Sequence, residues 1–249
     1  MSDPLAHVFG RAADDYERGR PDWPAEALDL VTKELDLRPD AEVVDLAAGT
    51  GKLTRILAER FARVVAIEPD PAMRALISAE ALPGAAEDIP LPDDSADAVF
   101  CGEAFHWFDG AVALTEIARI LRPGGGLALM WNHGWDFEPE LPQALYDRLG
   151  AIIERVGAPG GPKYDSGAWR NAFATSAFEP LQKTTLTWVI EKVDRERVVS
   201  LWLSVSSVAS LPEEERRQFA DDVRAQLDPV YRMPVTTDVY WTRLSTGCG

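Results

Sequence analysis

Short apolar runs alternate with helical patterns along the first part of the chain. Four runs of four or five mostly apolar residues are predicted strands: Glu42–Leu46, Val64–Ile67, Ala96–Phe100 and Leu127–Trp131. Between and before them, apolar positions recur every three or four residues, which predicts helices over residues 25–37, 51–61, 71–81 and 110–121. This alternation is typical of βαβ units, so we predict an α/β fold with a doubly wound, mostly parallel sheet. Right-handed crossovers would place the loops at the strand carboxyl ends along one edge, where ligands bind in such folds.

After Asn132 the pattern predicts further helices and two more strands. The helices are expected over residues 141–156, near Trp169, over 194–203 and over 212–227. The strands are expected over residues 181–193 and 236–244. We therefore predict one domain over residues 1–249, with a core and a helical cap or lid. The core would comprise residues 25–135 and the two later strands, and the cap would comprise residues 1–24, 136–180 and 194–230.

Composition and charge narrow the class of protein. The formal net charge is −16 and the densest basic stretches are interleaved with acids, so we expect no nucleic-acid partner. No apolar run approaches the roughly 18–20 residues of a membrane span, and the N-terminal segment lacks the apolar stretch of a secretory signal. The two cysteines, Cys101 and Cys248, lie far apart, which argues against a metal site and favours a cytoplasmic location.

The stretch VVDLAAGTGKLT (residues 43–54) has the layout of a nucleotide-binding turn. A strand ends near Asp45, and Gly49 and Gly51 lead into a helix, so the backbone can approach a ligand closely. The dinucleotide fingerprint G-x-G-x-x-G expects its third glycine where Thr54 stands, which disfavours NAD. Glu68 ends the next strand, where an acid accepts from both ribose hydroxyls of a nucleotide cofactor. A tight turn that binds no ligand is the alternative interpretation.

Several spaced motifs resemble those of the class I S-adenosylmethionine-dependent methyltransferases, in the small-molecule branch known as methyltransferase type 11. Residues 45–51 resemble D-x-G-x-G-x-G with Ala47 in place of the first glycine, and GAAEDIP (84–90) resembles G-x-A-E-x-L-P. Further similar segments are LPDDSADAVFCGEAFHWFD (91–109), LRPGGGLALMWN (121–132), the N-terminal lid segment 9–24 and the cap segment 204–219. The resemblance covers most of the chain. It implies a Rossmann-like, mostly parallel sheet of seven strands with an antiparallel last strand and a helical cap.

The resemblance also indicates which residues bind S-adenosyl-L-methionine. Asp45 would accept from the ammonium group of the cofactor, and Glu68 would bind the ribose. In this branch Ala86 and Glu87 would meet the adenine edge, while Arg20 on the lid would bind a carboxylate of the cofactor or the substrate. The residues assigned to the cofactor are Asp45, Ala47, Gly49, Gly51, Glu68, Pro69, Ala86, Glu87, Cys101, Tyr16 and Arg20.

His106 is the candidate catalytic base. Methyl transfer is an in-line displacement with an activated cofactor, so the protein mainly supplies alignment and a dry site. A nucleophile that is not already ionised must also lose a proton, and histidine has a suitable ordinary pKa. A structural or substrate-positioning role for His106 is the alternative. The residues assigned to the substrate pocket are Phe9, Phe105, Trp107, Trp131 and Asn132, of which the aromatic ones could instead be simple core.

Two other functions are compared with transfer of a methyl group to a small-molecule acceptor. A nicotinamide-dependent oxidoreductase is disfavoured by Thr54 and by the motifs over residues 84–109. A non-catalytic protein that binds S-adenosylmethionine is the second alternative. The motifs do not distinguish O-, N- or C-methylation, and they do not identify the acceptor. A monomer or a homodimer is expected, because Trp188, Leu201 and Trp202 could line a dimer contact or, as we favour, the core of the cap.

Overall fold

The computed structural model describes residues 13–156 and 164–245, and within them seven strands form one sheet. The strands are β1 (Glu42–Leu46), β2 (Arg63–Ile67), β3 (Glu80–Leu82), β4 (Ala96–Gly102), β5 (Leu121–His133), β6 (Gln182–Asp194) and β7 (Val230–Arg243). Their order in the sheet is β3-β2-β1-β4-β5-β7-β6. Neighbours among β1 to β5 are parallel, and β7 is antiparallel to β5 and β6. The predicted fold, a mostly parallel seven-stranded sheet with an antiparallel last strand, is confirmed.

Helices connect these strands near the predicted positions with one clear exception, and the helix predicted near Trp169 is a 3₁₀ segment. They are α1 (Ala13–Gly19), α2 (Ala25–Glu34), α3 (Lys52–Ala58), α4 (Pro71–Arg74), α5 (Gly110–Ile120), α6 (Gln143–Val156), α7 (Arg195–Leu203), α8 (Ser206–Ala209) and α9 (Glu213–Gln226). In the described part of the chain, Phe105–Trp107, Tyr164–Ser166 and Ala168–Thr175 are 3₁₀ segments. No helix among the described residues is long and apolar enough to cross a bilayer.

The exception is the helix predicted over residues 71–81, which ends at Arg74. Its start is well defined, because Asp70 Oδ1 accepts from the amides of Ala72 and Met73 at 2.8 and 2.9 Å. Residues 80–82 instead form β3, which pairs in parallel with β2. The prediction to residue 81 was wrong because pairing with a distant strand determines the conformation of this short segment.

The central strands are buried on both faces, and their side chains alternate between two apolar clusters. On β4, Val99 and Cys101 belong to one cluster, while Ala98 and Phe100 belong to the other. This two-residue period is that of a strand covered on both sides. The sheet can therefore hold its loops on a rigid support at the carboxyl edge.

The chain divides into two compact units. Among the described residues, we call 22–132, 164–186 and 237–245 the sheet unit, and 13–21, 133–156 and 187–236 the helical unit. The described part of 164–180, which the sequence analysis assigned to the cap, groups with the sheet unit. Its Trp169 is buried in the same apolar cluster as residues of β4 and β5.

The helical unit has its own apolar core. Leu201 and Trp202 are buried in it, and Trp188 packs against it. Helix α1 approaches α7 at Gly19, where an added β-carbon would lie 2.2 Å from the backbone nitrogen of Leu201. Only glycine permits this distance, so Gly19 sets how α1 lies on α7.

Candidate active site

The turn after β1 is held against the end of β2 by backbone hydrogen bonds. The amide of Ala48 donates to the carbonyl of Ile67 at 3.0 Å, and the amide of Gly51 donates to the carbonyl of Ala48 at 2.9 Å. Ala47, Gly49 and Gly51 all have left-handed backbone angles, with φ of 56°, 59° and 84°. The chain therefore reverses tightly at the carboxyl edge of the sheet.

Gly49 and Gly51 serve this turn differently. A β-carbon added at Gly49 would have Met73 Sδ at 4.0 Å as its nearest neighbour, so that side of the turn is open. A β-carbon added at Gly51 would lie 3.1 Å from a side-chain carbon of Ile77, so that glycine is packed against protein. Gly49 is therefore the position where the backbone can approach a ligand.

Ala47 occupies a conformation that favours glycine, which leads to a stability prediction. An L-residue in the left-handed region costs about 1–2 kcal/mol, while glycine costs about 0.5–1 kcal/mol through its freedom in the unfolded chain. We expect Ala47→Gly to raise the free energy of unfolding by about 0.5–1 kcal/mol in denaturant titrations. The matched control is Ala48→Gly, outside the left-handed region, which should lower it by about 0.5–1 kcal/mol. Destabilisation by both changes would contradict the prediction.

Asp45 is buried at the end of β1 and accepts a hydrogen bond from Thr54. The Thr54 hydroxyl lies 2.6 Å from Asp45 Oδ2, and Asp45 as a whole is 1% exposed. Burial raises the pKa of Asp45 to about 7, and the nearby charge of Glu68 acts in the same direction. Sequence reasoning used Thr54 only as evidence against a dinucleotide, whereas the structure shows that it orients this acid.

Glu68 links the turn to the loop after β2. Its Oε2 accepts from the Gly49 amide and its Oε1 accepts from the Asp70 amide, both at 2.8 Å. Burial raises the pKa of Glu68, and the two amides oppose that effect. Each carboxylate oxygen has two lone-pair directions, and each amide uses one of them. The neighbouring Pro69 is exposed, and its carbonyl accepts from Arg74.

The loop after β3 is fixed by Arg119, a residue that sequence reasoning missed. Its guanidinium donates to the carbonyls of Ile89 and Leu91 at 2.9 and 2.8 Å. Ala86 is buried within this loop, and the Glu87 carboxylate accepts from the Asp109 amide at 2.9 Å. These hydrogen bonds hold the loop at positions one to five residues after Ala86.

His106 lies on the 3₁₀ turn that follows β4. Its Nδ1 lies 3.1 Å from Trp131 Nε1, and the rings of His106 and half-buried Trp107 are 4.8 Å apart. Burial lowers the pKa of His106 to about 4, and the charge of Asp165 opposes this only in part. His106 is therefore uncharged at neutral pH.

Phe105 and Trp131 are 1% exposed and belong to an aromatic cluster. Phe105 packs on Trp169 and Phe173 at ring-centroid distances of 6.0 and 5.5 Å. Trp131 packs on Trp169 at 4.7 Å. This burial favours the core alternative for Phe105 and Trp131 over direct contact with a substrate.

Asn132 follows Trp131 on β5, and its polar groups are engaged within the sheet unit. Its side chain accepts from Thr237 at 2.6 Å and donates to the carbonyl of Asp22 at 3.2 Å. Its amide donates at 2.7 Å to the carboxylate of Glu103, which has a left-handed φ of 60°. Cys101 is buried on β4, two residues before Glu103, and burial raises the pKa of its thiol. Glu103 is a second residue at this edge that sequence reasoning missed.

Tyr16 and Arg20 lie in the helical unit, and Phe9 lies outside the described residues. Arg20 Nε donates to the Ser204 hydroxyl at 2.9 Å. Its guanidinium carbon lies 4.7 Å from the ring centroid of Trp135 and 5.5 Å from that of Tyr16. These contacts hold Arg20 between two aromatic rings, a geometry suited to cation–π attraction.

A glycine turn after β1 and an acid after β2, on this sheet order, define a nucleotide-binding α/β class of protein. Comparison with known proteins narrows the class. Residues 44–129 match the family model described as "Methyltransferase domain". The chain is 39% identical over 227 residues to the uncharacterized methyltransferase Rv3342 of Mycobacterium tuberculosis, covering 88% of this chain and 85% of that protein. It is 31% identical over 234 residues to the uncharacterized methyltransferase C25B8.09 of Schizosaccharomyces pombe, covering 92% and 88%.

Solved structures show the same fold. The YcgJ protein of Bacillus subtilis superposes with a TM-score of 0.56 at 18% identity, covering 90% of this chain and all of that one (100%). A putative type II methyltransferase from Anaeromyxobacter dehalogenans gives a TM-score of 0.60 at 23% identity, covering 90% and 97%. The chain belongs to the class I S-adenosylmethionine-dependent methyltransferases, which confirms the family predicted from the motifs.

Proposed function

We propose that the protein transfers a methyl group from S-adenosylmethionine to a small-molecule acceptor by in-line displacement. The observation that carries the proposal is the left-handed turn over residues 47–51, open beside Gly49 and joined to Glu68 by a 2.8 Å hydrogen bond. A close backbone approach next to a buried carboxylate suits a ligand with an ammonium group and a ribose diol.

In this proposal, different residues of the sheet unit bind different parts of the cofactor. Asp45 faces the ammonium group, Gly49 lets the methionyl chain pass, and Glu68 accepts from the ribose hydroxyls. The backbone of Ala86 and the carboxylate of Glu87 meet the adenine. The bound cofactor supplies an already activated methyl group, so these residues contribute position and exclusion of water. The assignments of Ala47, Gly51, Pro69, Cys101, Tyr16 and Arg20 to the cofactor stay predictions.

The acceptor is proposed only as a class. A malonyl-[acyl-carrier protein] O-methyltransferase of Serratia marcescens is 32% identical over 130 residues, covering 49% of each protein. A Streptomyces coelicolor geranyl diphosphate C-methyltransferase shares the fold, with a TM-score of 0.50 at 16% identity. One of these similar proteins is named an O-methyltransferase and the other a C-methyltransferase, so similarity to them does not identify the acceptor of this protein. The net charge of −16 supports a small molecule over a nucleic acid. A cytoplasmic location, and a monomer or homodimer, belong to the same proposal.

Calorimetry and an acceptor screen test this function. S-adenosylhomocysteine should bind with a stoichiometry of one, whereas NAD should give no saturable heat. Incubation with S-adenosylmethionine and a panel of small acids, phenols and amines should then release S-adenosylhomocysteine for at least one compound. Saturable binding of NAD alone would support the oxidoreductase alternative, and cofactor binding without any transfer would support the non-catalytic one.

A further inference from the structure

The hydrogen bond between Trp131 and His106 has only one possible direction. An indole nitrogen donates and cannot accept, so Trp131 Nε1–H donates to His106 Nδ1 across 3.1 Å. A neutral imidazole carries its proton on one nitrogen and a lone pair on the other. The lone pair of His106 is therefore on Nδ1, and its proton is on Nε2.

The surroundings of His106 favour this one form over the others. An imidazolium, or the opposite tautomer, would place an N–H of His106 against the N–H of Trp131 in a buried setting. Burial also lowers the pKa of His106 to about 4, with Asp165 opposing it. The described residues supply no hydrogen-bond acceptor to Nε2. The ring thus presents a single N–H donor that the described protein does not use.

The direction of that donor is fixed by packing. Trp131 is 1% exposed. Its ring centroid lies 4.6 Å from that of Tyr164, on which it stacks, and 4.7 Å from that of Trp169. Trp107 contacts the His106 ring at 4.8 Å. A donor held in this way loses little conformational freedom when it binds, which is the property of a preorganised site.

We propose that His106 donates a hydrogen bond through Nε2–H to an oxygen of the methyl acceptor, and that Trp131 keeps His106 in this tautomer. This inference rests on the proposed function. The lone pair that a base would use is occupied by Trp131, so His106 orients the acceptor and does not remove its proton. The matching acceptor carries an oxygen with an available lone pair, as in a carboxylate or a carbonyl group.

The tautomer is measurable without any acceptor. In the protein labelled with ¹⁵N and saturated with S-adenosylhomocysteine, two-bond ¹H–¹⁵N correlation spectra at pH 7 should show His106 as the Nε2–H form. The His106→Gln variant identifies the signal by its loss. Trp131→Phe should produce a mixture of tautomers, because it removes the donor to Nδ1 and preserves most of the ring packing. An Nδ1–H or doubly protonated His106 in the unaltered protein would overturn the proposal.

Substitutions at His106 separate a donor from a base. Glutamine offers an N–H near the position of Nε2 but has no basicity, and phenylalanine offers neither. With the acceptor found in the panel of acids, phenols and amines, His106→Gln should keep turnover within about threefold, while His106→Phe should lose about tenfold or more, as for one lost hydrogen bond. Equal loss in both variants would overturn the donor role, and so would full activity in both.

Two further measurements keep the results interpretable. Thermal unfolding and S-adenosylhomocysteine affinity should be close to those of the unaltered protein in both His106 variants, which shows that they are folded. If the unaltered protein binds S-adenosylhomocysteine but methylates nothing in the panel, the proposed function fails at the acceptor. The tautomer measurement decides the His106 inference in that case.

Discussion

Replacing Glu68 with alanine is expected to weaken S-adenosylhomocysteine binding by about 1–3 kcal/mol, as for hydrogen bonds lost to a charged group. The change removes two functions of one carboxylate. It takes away the proposed acceptor for the ribose hydroxyls, and it leaves the amides of Gly49 and Asp70 without the partner they now have at 2.8 Å. The glycine turn should then lose its fixed position against the end of β2, and calorimetric titration measures the result.

The Glu68 variants need two comparisons. Glu68→Gln keeps the size of the side chain but turns an NH₂ group toward one of the two amides, so we expect nearly the same loss of affinity as for alanine. Glu59→Ala removes an exposed carboxylate near the end of α3 and should leave the affinity unchanged. Unaltered affinity in Glu68→Ala would show that the ribose is bound elsewhere.

The affinity for S-adenosylhomocysteine is expected to fall about 100-fold when the pH drops from 7.5 to 5, at up to tenfold per unit below the pKa of Asp45. That pKa is about 7 in the free protein, so the carboxyl group is largely protonated below neutral pH. The ligand's α-ammonium group keeps its charge below about pH 8. Pairing it with Asp45 requires the ionised acid, so binding releases a proton at low pH and becomes weaker there.

Asp45→Asn is the matched variant for this pH dependence. Asparagine retains an acceptor for the Thr54 hydroxyl, which lies 2.6 Å from the acid. It carries no charge at any pH. The affinity of Asp45→Asn for S-adenosylhomocysteine should be low at pH 7.5. It should change much less between pH 5 and 7.5 than the affinity of the unaltered protein does. A flat pH profile in the unaltered protein would contradict the pairing of Asp45 with the ammonium group.

The same pKa shift predicts how stability changes with pH when no ligand is bound. The ordinary pKa of Asp45 is 3.8 and the folded value is about 7, so the folded state favours the protonated acid. This stabilisation is fully present below pH 3.8 and is lost as the pH rises to about 7. The stabilisation of the folded state amounts to about 4 kcal/mol, at about 1.36 kcal/mol for each unit of difference between the two pKa values. Asp45→Asn should remove that part of the slope in denaturant titrations, whereas an unchanged slope would show that Asp45 is ionised in the folded protein.

Most of the fold could be predicted because each of its signals is local. The two-residue period of the strands, the three-to-four-residue period of the helices and the glycine turn are all contained in short segments. The exception, β3, is three residues long and has too few positions to show a period. Pairing with β2 decides its conformation, and a periodicity pattern does not show which strand a segment pairs with.

For the candidate site, the sequence predicted which residues lie at the sheet edge, but not the details of their conformation. Motif spacing predicted that Asp45, Gly49 and Glu68 lie together, because strand ends on a parallel sheet meet at one edge whatever the side-chain details. It did not show that Ala47 has a left-handed backbone or that Arg119 fixes the loop around Ala86. Backbone angles and side-chain directions depend on the packing of surrounding elements, which spacing does not contain.

His106 shows most clearly what the sequence alone cannot predict. The sequence by itself determined that a histidine follows the third predicted strand inside a methyltransferase motif, and its ordinary pKa favoured a base. Only the tertiary structure brought Trp131, 25 positions away, to donate to its Nδ1 in a buried setting. Local periodicity and spacing thus determined the fold class and the family, and they predicted the edge of the sheet where we propose that the cofactor binds. The protonation of Asp45 and the tautomer of His106 were decided by burial and by partners distant in the chain, because both depend on the electrostatics of the folded interior.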